Sequence, residues 1–169
     1  TGVTVEFWLK KAAFDAAKTG KEVVFDLWNS SSAGSTDYGR LTIEMSSSGT
    51  PFLVTAQSGT ISSSIAHSTI GITPTVSSLT DWHHYAFRFY NSGENFIVKL
   101  YVDGILDDTN TYTSKSLGEI TTANMIGRVG SLLSTPIDSS ATAGAGKLSA
   151  SLDDFRFWKS DRNSREIAT

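Results

Sequence analysis

The sequence predicts an all-β chain folded as an antiparallel sandwich of two sheets, and three observations carry that prediction. Apolar and polar residues alternate with a period of two in one segment after another. These segments are bounded by Gly, Ser, Asn or Asp, and the strongest hairpin signal, Asp103-Gly104, joins two of them. A meander of this kind leaves one apolar face wet unless a second sheet covers it, so two packed layers follow.

In chain order, the first strand is read in "TVEFWLK", where Val5, Phe7 and Leu9 share one face and Thr4, Glu6 and Lys10 the other. "EVVFDLWN" groups Val23, Phe25 and Leu27 in the same way. Between them, the Ala-rich "KKAAFDAAKTGKE" reads as a connection with room for a turn or two of helix closed at Gly20. "RLTIEMS" sets Leu41, Ile43 and Met45 against Thr42 and Glu44, while "PFLVTAQ" and "TISSSIAH" are shorter and read as edge strands. In "DWHHYAFRFYNSGENFIVKLYVDGILDDTN", Tyr85, Phe87 and Phe89 form one face, "NSGEN" turns, and Phe96, Val98, Leu100 and Val102 line the return. The Asp-Gly turn then opens a third strand. Near the C-terminus Leu148, Ala150 and Leu152 are even-numbered, whereas Phe155 and Phe157 are odd. Either a β-bulge at Asp153-Asp154 inserts one residue and re-aims the strand, or Leu152 closes one layer and Trp158 packs outside with no bulge. "NSREIA" then offers Asn163 or Ser164 as the N-cap of a short helix with Glu166 in its first turn.

At 169 residues the chain fits one domain spanning positions 1–169, long enough to bury a substantial core. With 18% charged and 39% hydrophobic residues and a formal charge of -3, composition favours neither disorder nor electrostatic attraction to nucleic acid. The Lys and Arg residues are scattered, with no basic stripe. No apolar run is long enough for membrane insertion. Cysteine is absent, which removes disulfides, thiol catalysis and thiolate-bound zinc. A start at Thr1 rather than Met reads as a processed product or a segment of a larger protein.

The order "TVEFWLK", "DWHHYAFRFYNSGENFIVKLYVDGIL", "MIGRVG" and "GKLSASLDDFRFWKSDRNSREI" resembles the laminin G-like and pentraxin-like families of the concanavalin A-like jelly rolls. Its most specific parts are Trp82-His83-His84, the "LYVDG" hairpin and "LDDFRFW" before the capped helix. The resemblance implies a jelly-roll sandwich that serves as a non-catalytic module for glycans or proteins, often with calcium at one rim. It implies an extracellular, cell-surface or virion setting, with neighbouring domains or subunits as partners. The family usually has a further strand before the one at Val3, where this sequence has two residues, in keeping with a segment. A metal ligand in the family often comes from the loop that corresponds to "STDYG", which makes Asp37 the candidate, with a second contribution from the loop after "MIGRVG". In that second loop Asp138 is the only charged residue, whereas pentraxins carry a dense set of acids and amides. A single weak calcium site or none is therefore expected. The other reading of Asp37 is a solvated turn residue.

Some relatives of this fold cleave polysaccharides with acidic residues at alternate positions of one strand, and no such stretch occurs here. Asp107-Asp108 and Asp153-Asp154 are sequence neighbours, which a regular strand points to opposite faces. His83-His84 has neither a nucleophile elbow nor a metalloprotease motif beside it. Ligand binding is instead assigned to the small polar loops, with Trp28 and Tyr38 stacking on sugar faces and Asn29 and Asp37 taking hydroxyls; Trp28 fits the core equally well. Two functions remain: a glycan-recognition module, calcium-assisted or not, and a structural module that packs on a protein partner. An ordered, exposed aromatic patch would favour the first, and a flat apolar face or open edge the second.

Overall fold

The computed structural model describes residues 2–14, 21–32, 34–60, 65–118, 124–134 and 146–168. Its strands are β1 (Gly2–Lys10), β2 (Glu22–Trp28), β3 (Gly39–Met45), β4 (Phe52–Ser58), β5 (Ile65–Thr69), β6 (His83–Ser92), β7 (Asn95–Val102), β8 (Ile105–Tyr112), β9 (Ile126–Val129) and β10 (Ser151–Trp158), followed by the helix α1 (Ser164–Ile167). They form two antiparallel sheets of five strands, ordered β10-β1-β6-β7-β8 and β5-β4-β3-β2-β9. This is the two-sheet antiparallel sandwich expected from the alternation, in the jelly-roll form that the resemblance implied.

The two inner faces meet in one core. Val5, Phe7, Leu9, Tyr85, Phe87, Phe89, Phe96, Val98 and Leu100 from the first sheet pack on Phe25, Leu41, Ile43, Met45, Phe52, Val54 and Ala56 from the second. Aromatic rings bridge the layers, with Phe52 lying 4.8 Å from Tyr85 and 5.3 Å from Phe87, centroid to centroid. The β6–β7 hairpin has the anticipated register, Tyr85 opposite Val102 through Ser92 opposite Asn95. Asp103 and Gly104 both take positive φ, 50° and 79°, as the tight turn into β8 requires.

Irregularities shape the outer surfaces. Glu6 pairs with Arg156 but Trp8 with Asp153, so two residues of β10 oppose Phe7, and Asp154 sits at φ 48°. That is the bulge anticipated from parity, and it lets Leu152, Phe155 and Phe157 all reach the core. The grouping of Val23 with Phe25 and Leu27 is corrected by a second bulge, because Val23 pairs with Glu44 and Phe25 with Ile43. Val24 enters the core cluster instead. β5 is an edge strand as expected, whereas β4 is paired on both sides. The connection between β1 and β2, with its expected helical turn, lies largely outside the described residues. Asn163 caps α1 through a capping box with Glu166, and Ile167 packs on Ala86 and Tyr101 on the outer face of the first sheet.

A third register shift, between Leu100 and Tyr101, falls at Asp107. It alters the expectation that neighbouring acids diverge: the Asp108 carboxylate accepts from the Gly71 N–H, and Asp107 accepts from the N–H groups of Ile72 and Thr73 and from the Thr73 hydroxyl. The two carboxylates thus staple the 71–73 turn. Asp107→Ala is expected to lower the unfolding free energy by about 1–2 kcal/mol, read from urea denaturation.

Candidate functional site

The loop between β2 and β3 is closed by Asn29, which is 0% exposed. Its side-chain amide donates to the Asp37 carbonyl at 2.6 Å, and its Oδ1 accepts from the N–H groups of Gly39 at 3.0 Å and Ser31 at 3.3 Å. Asn29 therefore shapes the loop rather than facing a ligand. Tyr38 is also interior, 1% exposed, with its hydroxyl accepting from Arg40, so no ring face is open for a sugar. Trp28 is half-buried, opposite Arg40 in register, and donates its indole N–H to the Ser31 carbonyl. Asp37 is exposed. Of the four residues assigned to ligand binding, Asp37 and part of Trp28 thus reach the surface. Calcium takes six to eight oxygens. Among the described residues no group of three or more His, Asp or Glu side chains is placed to hold a metal. Asp138 lies outside them, and Asp37 alone does not make a site.

The outer face of the second sheet carries charge that is shut away from water. Arg40 and Asp26, both with side chains 0% exposed, form a bidentate pair at 2.8 and 2.5 Å. Asp26 also accepts from the Thr42 hydroxyl and the Leu133 N–H, and Arg40 donates to the Ser134 hydroxyl and carbonyl. Burial alone would lower the Arg40 pKa, but the hydrogen bonds and charge of Asp26, with the Tyr38 hydroxyl, more than reverse this and raise it. The other buried acids are similarly held: Glu6 by Arg162 at 2.7 Å, Glu22 by Lys11 at 2.8 Å and Glu44 by His67 at 2.7 Å. Among the described residues, then, every buried carboxylate already faces a basic side chain.

The outer face of the first sheet is different. Trp8 stands between Asp153 of β10 and His84 of β6 in register, with its ring 5.6 Å from the imidazole. It shares a surface groove with Trp82, Asp153 and Asp154, and the two indoles are 40% and 43% exposed. The bulge at Asp154 turns both neighbouring acids toward this groove. Asp153 accepts the Asp154 N–H, while Asp154 pairs with Arg156 at 2.6 Å. Trp82, His84, Asp153 and Asp154 each stood out in the sequence, Trp8 did not, and only the β10-β1-β6 register brings them together.

His84, beside Trp8, has a pKa below its ordinary value because burial disfavours its cation, more than the charges of Glu6 and Asp103 favour it. As the pH drops below about 6.5, the unfolded chain takes up this proton first, so the stabilisation present above that pH is lost as the pH falls through the folded value. Relative to His84→Gln, the wild type should lose stability over the range that begins near pH 6.5 and runs downward. Paired melting curves across that range test this.

With this geometry in hand, the class is defined: a family model of the concanavalin A-like lectin/glucanases superfamily, of the laminin G type, matches residues 1–168, and the chain belongs to that family. A heptameric SAP-like pentraxin from Limulus polyphemus superposes with a TM-score of 0.63 at 15% identity, covering 99% of this chain and 68% of the pentraxin. The CBM40 module of a Ruminococcus gnavus IT-sialidase, bound to α2,3-sialyllactose, gives 0.55 at 10% identity, covering 99% and 80%. No curated protein matches the sequence significantly. At these identities the structures share the fold. Among the described residues no helix is long and apolar enough to cross a membrane.

Proposed function

We propose that this chain is a non-catalytic glycan-recognition module of a larger secreted, surface or virion protein. The observation that carries this reading is the pair of exposed indoles, Trp8 and Trp82, beside Asp153 and Asp154 on a surface built from three hydrogen-bonded strands. Indole faces offer the apolar area on which a pyranose stacks, and carboxylates accept its hydroxyls. The family supports it, as does the sialyllactose-bound module of the same fold. The engagement of each buried acid by a basic partner speaks against a glycosidase, which needs an acid and a second carboxylate flanking the bond. The rim at Asp37 and Trp28 is a second contact region, and calcium there would have to draw on Asp37 together with Asp138.

A screen of the folded domain on a broad glycan array, in calcium and in chelator, with Asp37→Ala alongside, tests the proposal. Binding by the wild type is expected. Its loss in chelator and in Asp37→Ala would put calcium at the rim, and binding indifferent to both would leave the indole groove as the site. Silence on every glycan would favour the structural reading instead. One observation supports that alternative: Ile126 and Val129 on the edge strand β9 are exposed, as is Met125 before it, an apolar edge suited to a protein neighbour.

A further inference from the structure

We infer that the indole groove selects a sugar carrying a free amine and turns away acidic sugars. This inference rests on the glycan reading and adds the charge class of its ligand. The arginines near the groove are already paired with acids. Arg156 is held by Asp154, while Arg162 is held by Glu6 and lies 4.5 Å over the Trp158 ring. Arg88, further along the same face, is held by Asp161. Burial keeps His84 toward its neutral form, and His83 is turned to Asp103 at 2.7 Å. Lys10, two residues beyond Trp8 on the same face, does not line the groove. Among the described residues Asp153 has no cation partner, and it lines the groove beside Trp8.

A carboxylate beside two exposed indole faces is matched by a ligand with an apolar ring and a positive group. The ring stacks, and the ammonium gains a charge-assisted hydrogen bond to Asp153 together with cation–π attraction. A carboxylated sugar in the same position would set like charges together with no arginine free to receive it. The proposed ligand is therefore a hexosamine unit with an unsubstituted amine.

The experiment is a calorimetric titration of the intact domain with three tetramers: β-1,4-linked glucosamine, its fully N-acetylated counterpart, and galacturonic acid. The free-amine tetramer is expected to bind about tenfold more tightly than the acetylated one, and the acidic one not measurably. Asp153→Asn should bring the two hexosamine tetramers to within about threefold of each other, and Trp8→Ala should weaken both. Acetylated or acidic tetramers binding as tightly as the amine, with the array positive, would overturn the amine preference and leave the glycan reading standing. A free-amine tetramer unaffected by Trp8→Ala would show diffuse charge attraction only and also overturn it. No tetramer binding, with a silent array, would remove both.

Discussion

Arg40→Met is expected to lower the unfolding free energy by about 3–5 kcal/mol, read as a fall in the urea midpoint at unchanged slope. The reason is the state in which it leaves Asp26. That carboxylate is fully buried, and without the guanidinium it keeps only the Thr42 hydroxyl and the Leu133 N–H. A loss of this size is a large part of the stability of an ordinary domain. The double variant Asp26→Leu/Arg40→Met buries no charge and should recover much of the loss, so the two substitutions are strongly non-additive. A single variant within about 1 kcal/mol of the wild type would mean that the pair is solvated in solution.

The second large effect concerns binding. Trp8→Ala and Trp82→Ala are each expected to weaken glycan binding about tenfold, and the double variant about a hundredfold, because aromatic anchors at the centre of a contact carry most of its energy. Both indoles lie on the outer surface, whereas the core neighbours Phe7 and Leu9 point inward, so melting curves should stay close to those of the wild type. Trp158→Ala is the control. That ring lies on the same face of the sheet under Arg162, away from the groove-lining residues, and its removal should leave affinity unchanged. Equal damage from all three variants would trace the effect to the sheet and not to a site.

The strands were legible because a half-buried sheet imposes a period of two. The bulge at Asp154 was one of two readings legible for the same reason, in the change of parity from Leu152 to Phe155, and the register decides for it. The bulge at Val24 left no such mark: in "EVVF" both parities are apolar, and either valine could face inward. Asn29 and Tyr38 looked like loop residues available to a ligand, yet polar groups in a short loop are often consumed by the loop's own backbone, as Asn29 is. The Asp26–Arg40 pair was hidden at polar positions that ordinarily face water; its burial depends on Leu133 and Ser134, far along the chain. The indole groove was unreadable for a related reason. Trp8 occupies a regular outward position and Trp82 precedes another strand, and only the pairing of β1 with both β6 and β10 sets them beside Asp153.

Whether the groove holds the glycan is read from the four indole N–H signals of Trp8, Trp28, Trp82 and Trp158 in a ¹H–¹⁵N spectrum while a glycan selected on the array is added. The Trp8 and Trp82 signals should move together and saturate at one dissociation constant, while Trp158 stays in place. Saturable binding that moves only Trp28, or leaves all four signals still, would place the ligand elsewhere on the sandwich and contradict the assignment of the groove.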